Sequence, residues 1–166
     1  IGHEITHGFD DQGRQFDADG NLKEWWTAED ARKFKARAQK IIDQYNGYIA
    51  VDTLHVNGAL TQGENIADNG GTAIAYAAFK KTAQGKGDEK IDGLTPDQRF
   101  FLAGAQIWRT KNRPEYERTL ALSDPHSPPM WRINGMFSNM PAFYKAFQVE
   151  PTDSMYRPDS LRVKIW

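Results

Sequence analysis

From Ala28 to Tyr48 the apolar residues Ala31, Phe34, Ala38, Ile41, Tyr45 and Tyr48 recur every three or four positions, with lysine and arginine between them. This is the period of a helix with one buried face. Thr27 is placed to cap its start, and Gly47 lies near its end. A second helical pattern runs from about Thr61 to Thr82 through Ile66, Gly70, Ala73 and Ala77, and a third from about Pro96 to Thr110 through Phe101, Ala105 and Trp108. The pair Gly70-Gly71 would weaken the second helix in isolation, so it marks a place where another element comes close. Asn112–Leu122 and Met140–Phe147 read as shorter helices. The Gly-, Pro- and Asp-rich stretches Asp10–Trp26, Gln84–Gly93 and Ser123–Arg132 read as loops. Alternating strand patterns are nearly absent, which predicts a mainly α fold of helices and long loops with little strand.

Composition narrows the function classes. The 166 residues, 39% of them hydrophobic, suit one domain with a continuous core. With 21 basic against 22 acidic residues and a net charge of −1, no long-range field attracts nucleic acid. No apolar run reaches the roughly 20 residues of a membrane helix, and no signal-peptide pattern opens the chain. The compartment stays open between exported and cytoplasmic. Because cysteine is absent, any metal site must be built from imidazole and carboxylate.

The chain opens with Ile1-Gly2-His3-Glu4-Ile5-Thr6-His7, a match to H-E-x-x-H. On a helix, His3 and His7 at i,i+4 share a face and can reach one ion, with Glu4 beside its open position. Two histidines leave a zinc site incomplete. The stretch Gly63-Glu64-Asn65-Ile66-Ala67-Asp68 places Glu64 and Asp68 one turn apart on the second predicted helix. One carboxylate can complete the ion's shell while the next holds a histidine N–H. Acidic residues early in a helix are also favoured by its dipole, so spacing alone does not separate Glu64 from the other acids.

The blocks "HEITHGFDD" (His3–Asp11), "GENIADNGG" (Gly63–Gly71), "RPEY" (Arg113–Tyr116) and "DPHSP" (Asp124–Pro128) resemble, in order and spacing, the neprilysin and endothelin-converting enzyme family of zinc metallopeptidases. The resemblance covers nearly the whole chain and implies a zincin, thermolysin-like, C-terminal catalytic subdomain. It implies Zn2+ held by His3, His7 and Glu64, with Glu4 as the base toward a metal-activated water. Asp68 would orient a ligand histidine, His3 first among them. His126 would hydrogen-bond the oxyanion, with Asp124 orienting it, and Arg132 would hold a substrate carbonyl. Trp108 would line the pocket for the residue after the cleaved bond, although its spacing equally fits a core aromatic. The implied activity is hydrolysis of oligopeptides on the amino side of hydrophobic residues.

Relative to that family, a large upstream helical domain and an Asn-Ala-x-Tyr segment are missing. Residues 1–166 are therefore expected to form a single subdomain truncated at its N-terminus, with His3 close to a fraying helix end. Trp166 resembles the family's closing tryptophan, which suggests a natural C-terminus, and the lack of cysteine points to the bacterial branch. An inactive fragment, a scaffold or binding domain that keeps the fold without hydrolysis, and self-association over apolar surface left bare are the competing expectations. Two other features carry no function. Asp17–Asn21, "DADGN", superficially suggests a calcium loop, but Leu22 stands at the loop's glycine position and Ala28 at its bidentate acid, so it reads as a turn. His55 reads as structural or exposed.

Overall fold

A computed structural model describes residues 1–165; Trp166, the expected natural end, lies outside the described residues. Among the described residues, eight α-helices and one small hairpin follow in order: α1 (Gly2–His7), α2 (Ala28–Asn46), β1 (Ile49–Val51), β2 (Leu54–His55), α3 (Gly58–Phe79), α4 (Ala83–Lys86), α5 (Pro96–Ile107), α6 (Pro114–Ser123), α7 (Pro129–Phe137) and α8 (Pro141–Phe147). The mainly helical expectation holds. No described helix is long and apolar enough to cross a membrane.

Two apolar clusters organise the packing. Phe34, Ala38, Ile41 and Tyr45, the stripe read on α2, close against Val56, Ile66 of α3 and the terminal Val163 and Ile165. Phe101 of α5 packs with Ile133, Met136 and Phe137 of α7 and with Phe143 of α8. The helix starts follow local capping chemistry. Thr27 Oγ1 accepts from Asp30 N, Asn57 Oδ1 accepts from Leu60 N, and Thr95 with Gln98 forms a reciprocal capping box.

The predicted boundaries shift in instructive ways. Helix α3 starts at Gly58 rather than Thr61 because Asn57 supplies the cap, and it ends at Phe79. Helix α5 stops at Ile107 rather than Thr110, and α6 starts at Pro114 rather than Asn112. The Ser123–Arg132 stretch is not all loop, since α7 begins at Pro129. Proline at the first helical position loses no hydrogen bond. Within the two other stretches read as loops lie the single turn α4 and a 3-10 turn at Gly13–Gln15. The antiparallel β1–β2 pair, with Asp52 at φ 51 in its turn, is too short to show a period.

The predicted close approach at the glycine pair is the junction of α1 with α3. A Cβ on Gly71 would lie 2.5 Å from His3 N and 2.8 Å from His3 Cα, and one on Gly70 would lie 2.7 Å from Thr6 Cγ2. Only bare backbone lets α1 sit this close. The contact seats His3, near the chain start, against α3.

Candidate metal centre

The α1–α3 junction brings three nitrogen and oxygen donors to one point. His3 Nε2 lies 3.0 Å from His7 Nε2 and 3.3 Å from Glu64 Oε2, and His7 Nε2 lies 3.4 Å from Glu64 Oε1. These three residues form a cluster able to hold a metal ion. Tetrahedral zinc with bonds of about 2.0–2.1 Å places its ligand atoms about 3.3 Å apart, so the donor set fits the ion in size and in kind.

Each ring is held from behind. His3 Nδ1 is 2.9 Å from Asp68 Oδ1, and His7 Nδ1 is 2.7 Å from Asp10 Oδ2. With each Nδ1–H donated to its carboxylate, both Nε2 lone pairs face Glu64. Such a convergence of acceptors is repulsive unless a cation is shared. Asp10 is itself buried, and its Oδ1 accepts from Gln12 N at 2.9 Å and Gly13 N at 2.8 Å. Sequence reading passed over Asp10 because it opens an apparent loop. Its signal was the i+3 spacing from His7, which continues the helix face.

Asp68 carries a second load. Arg132 Nε donates to its Oδ2 at 2.7 Å and Nη2 to its Oδ1 at 2.8 Å, while Nη2 also reaches Glu64 Oε2 at 3.3 Å. Burial pushes the Asp68 carboxyl up, but the hydrogen bonds from His3 and Arg132 outweigh it and hold the group below the usual carboxylate range. Conversely, the hydrogen bond to Asp68, opposed by burial, raises His3. For Arg132, burial acts downward and is overcome by Asp68, so the guanidinium stays charged. It stacks on Trp108, its carbon 4.0 Å from the ring centroid.

His126 also approaches Glu64. Its Nδ1 is 2.6 Å from Asp124 Oδ1, which also accepts from His126 N at 2.8 Å, and its Nε2 is 3.3 Å from Glu64 Oε2. Burial works to raise Asp124, and the His126 bonds bring it below its ordinary value. Glu4 is exposed and lines, with His3, His7, Glu64, His126 and Arg132, an open cleft of about 900 Å³. Trp108 sits at the end of α5 on the same cleft, beside Ile107, Met136 and Phe137. Every residue singled out for the site therefore borders or supports one cleft. The two features set aside lie elsewhere. Asp17 Oδ1 closes a turn by accepting from Asp19 N and Asn21 N, and exposed His55 bonds Asn46 O through Nδ1.

A helical chain that gathers two imidazoles of an H-E-x-x-H turn and a carboxylate of a facing helix on one cleft has the build of a metallopeptidase. Residues 1–163 match the profile of Peptidase family M13, and the chain belongs to that family. Neprilysin-1 of Caenorhabditis elegans is 45% identical over 172 residues, spanning 100% of this chain and 22% of its own length. Endothelin-converting enzyme 1 of Homo sapiens is 42% identical over 166 residues, 98% of this chain and 21% of its own. A crystal structure of the Mycobacterium tuberculosis zinc metalloprotease Zmp1 in complex with an inhibitor superposes with a TM-score of 0.92 at 50% identity, covering 99% of this chain and 26% of that one. PepO from Lactobacillus rhamnosis superposes at 0.86 and 39% identity, covering 99% and 25%. The chain thus spans about a fifth of the length of these curated relatives.

Proposed function

We propose that this chain carries the catalytic centre of a zinc endopeptidase that hydrolyses oligopeptides on the amino side of hydrophobic residues. The observation that carries the reading is the convergence of His3, His7 and Glu64 donors at 3.0–3.4 Å on a cleft that Glu4 also lines. When bound, zinc supplies Lewis acidity toward a peptide carbonyl and a water molecule. Glu4 accepts the proton of the attacking water and delivers it to the leaving amine. His126, with Nδ1–H tied to Asp124, donates from Nε2 to the developing oxyanion when its ring carries both protons. Arg132 is the donor for a substrate carbonyl. The apolar side of the cleft, with Trp108, Ile107 and Phe137, receives the hydrophobic residue that follows the cleaved bond.

In the same reading, residues 1–166 are one subdomain of a longer polypeptide. Two facts support this: the relatives extend well beyond the matched stretch, and Ile5, Phe9 and Ile74 stay exposed along a second, largely apolar groove of about 910 Å³.

Glu4→Gln tests the activity. With zinc content unchanged, kcat on a quenched peptide with a hydrophobic residue after the cleavage point is expected to fall by about 10²–10⁴-fold. Equal rates for the two proteins would leave a non-catalytic scaffold as the better reading.

A further inference from the structure

We propose that Asn65 and Ser127 form a clamp that positions His126 over the metal centre, making them positioning residues for the oxyanion donor; the inference rests on the reading above. Asn65 follows the ligand Glu64 on α3, about 100° further round the helix, and is fully buried with 0% exposure. Its Oδ1 accepts from Ser127 Oγ at 2.9 Å, and its Nδ2 donates to Thr61 Oγ1 at 3.0 Å. Thr61 in turn donates to Asn57 O at 3.0 Å. Ser127, buried at 3% exposure, directly follows His126. One turn of α3 thus sends a ligand into the cleft and a hydrogen-bonded anchor to the loop that carries the donor.

Downstream the loop is held by α7, which Arg132 ties to Asp68 of α3; upstream it has little else to hold it. Helix α6, which leads into it, buries no residue. Its ion pair from Arg118 to Asp52 is exposed and so holds the helix weakly. The Asp124–His126 bonds are local: they fix the ring within the loop but not the loop relative to Glu64. Pro125, Pro128 and Pro129 stiffen the segment around Ser127, so a hold on Ser127 is passed rigidly to the neighbouring His126. A buried amide–hydroxyl pair costs desolvation that an apolar pair would not. Here the directional bond offsets that cost and fixes the register of the loop on α3, with His126 Nε2 3.3 Å from Glu64 Oε2.

The test is a double-mutant cycle on the zinc-loaded, full-length protein that contains this chain, following kcat, KM, zinc content and affinity for a phosphinic peptide that mimics the tetrahedral state. Ser127→Ala, nearly isosteric, is expected to lower kcat between about 10- and 100-fold and to weaken the phosphinic peptide in parallel, with KM and zinc content unchanged. Ser127→Thr keeps the hydroxyl and is expected to restore most of the rate. In a His126→Ala background, Ser127→Ala is expected to add less than about twofold, because its effect passes through His126. Asn65→Ala should follow the same pattern where it folds. If Ser127→Ala costs the same factor with and without His126, or leaves kcat unchanged while His126→Ala is slow, the clamp is wrong and the mechanism stands. If His126→Ala itself leaves kcat unchanged, the oxyanion assignment falls and the clamp with it.

Discussion

Replacing Gly71 by alanine probes the junction on which the metal centre is built. The added Cβ would lie 2.5 Å from His3 N, 2.8 Å from His3 Cα and 3.0 Å from Gly2 C, all backbone atoms with no side chain to swing aside. Ordinary contact begins at 3.4 Å, so α1 must retreat by about 0.9 Å, several times the roughly 0.2 Å tolerance of a metal–ligand distance. Overpacking of this kind costs about 1–3 kcal/mol, against a gain of up to about 1 kcal/mol from removing a mid-helix glycine, so the net effect is destabilising. Because α1 bears both His3 and His7, the retreat pulls both rings away from Glu64. Zinc affinity, read by competition with a fluorescent chelator, should fall at least the about 10–100-fold seen when a ligand's support is disturbed. Gly104→Ala on the same cleft is the control: its Cβ would meet only Phe137 Cζ at 3.4 Å, and neither zinc affinity nor folding should suffer. A Gly71→Ala protein that folds and binds zinc as tightly as the parent would refute the argument.

Other expectations follow from the same geometry. Asp68→Asn leaves Arg132 buried with only the longer Glu64 contact at 3.3 Å as an anionic partner and should destabilise the metal-free protein by about 1–3 kcal/mol in urea unfolding. Because the folded Asp68 pKa lies below its unfolded value, its stabilisation is fully present above about pH 4 and is lost as pH falls through the folded value. The parent should therefore lose stability on that acid limb, and the Asn variant should lose correspondingly less. Phe101→Ala, at a ring 1% exposed and packed on Phe137 and Phe143, should cost about 3–5 kcal/mol by the same assay while zinc stoichiometry is kept. Asp10→Ala should weaken zinc by about 10–100-fold through loss of the His7 Nδ1 partner, measured by the same competition.

How much of this was legible in the sequence depended on whether a signal repeats or converges. Phe34, Ala38, Ile41 and Tyr45 announced α2 because a buried stripe recurs over about three turns. The H-E-x-x-H and Gly63–Gly71 blocks announced the donors because their spacing is the geometry itself. Helix α7 was hidden by Pro128 and Pro129, which read as breakers although Pro129 occupies the first helical position. Arg132 was consequently expected on a loop, yet it lies buried on α7 against Asp68. The β1–β2 hairpin is shorter than any period that would reveal it. Asp10 carried a local signal, its i+3 spacing from His7, whereas the Asn65–Ser127 pair joins residues 62 positions apart, and no local pattern encodes such a meeting.

The central claim is that one cation is shared by α1 and α3. Zinc K-edge absorption spectroscopy of the zinc-loaded protein, paired with Glu64→Ala, tests it most directly. The predicted spectrum has two imidazole nitrogens and oxygen donors at about 2.0–2.1 Å, with loss of an oxygen and weaker binding in the variant. A spectrum with fewer than two imidazoles, or one that Glu64→Ala leaves unchanged in a folded protein, would contradict it.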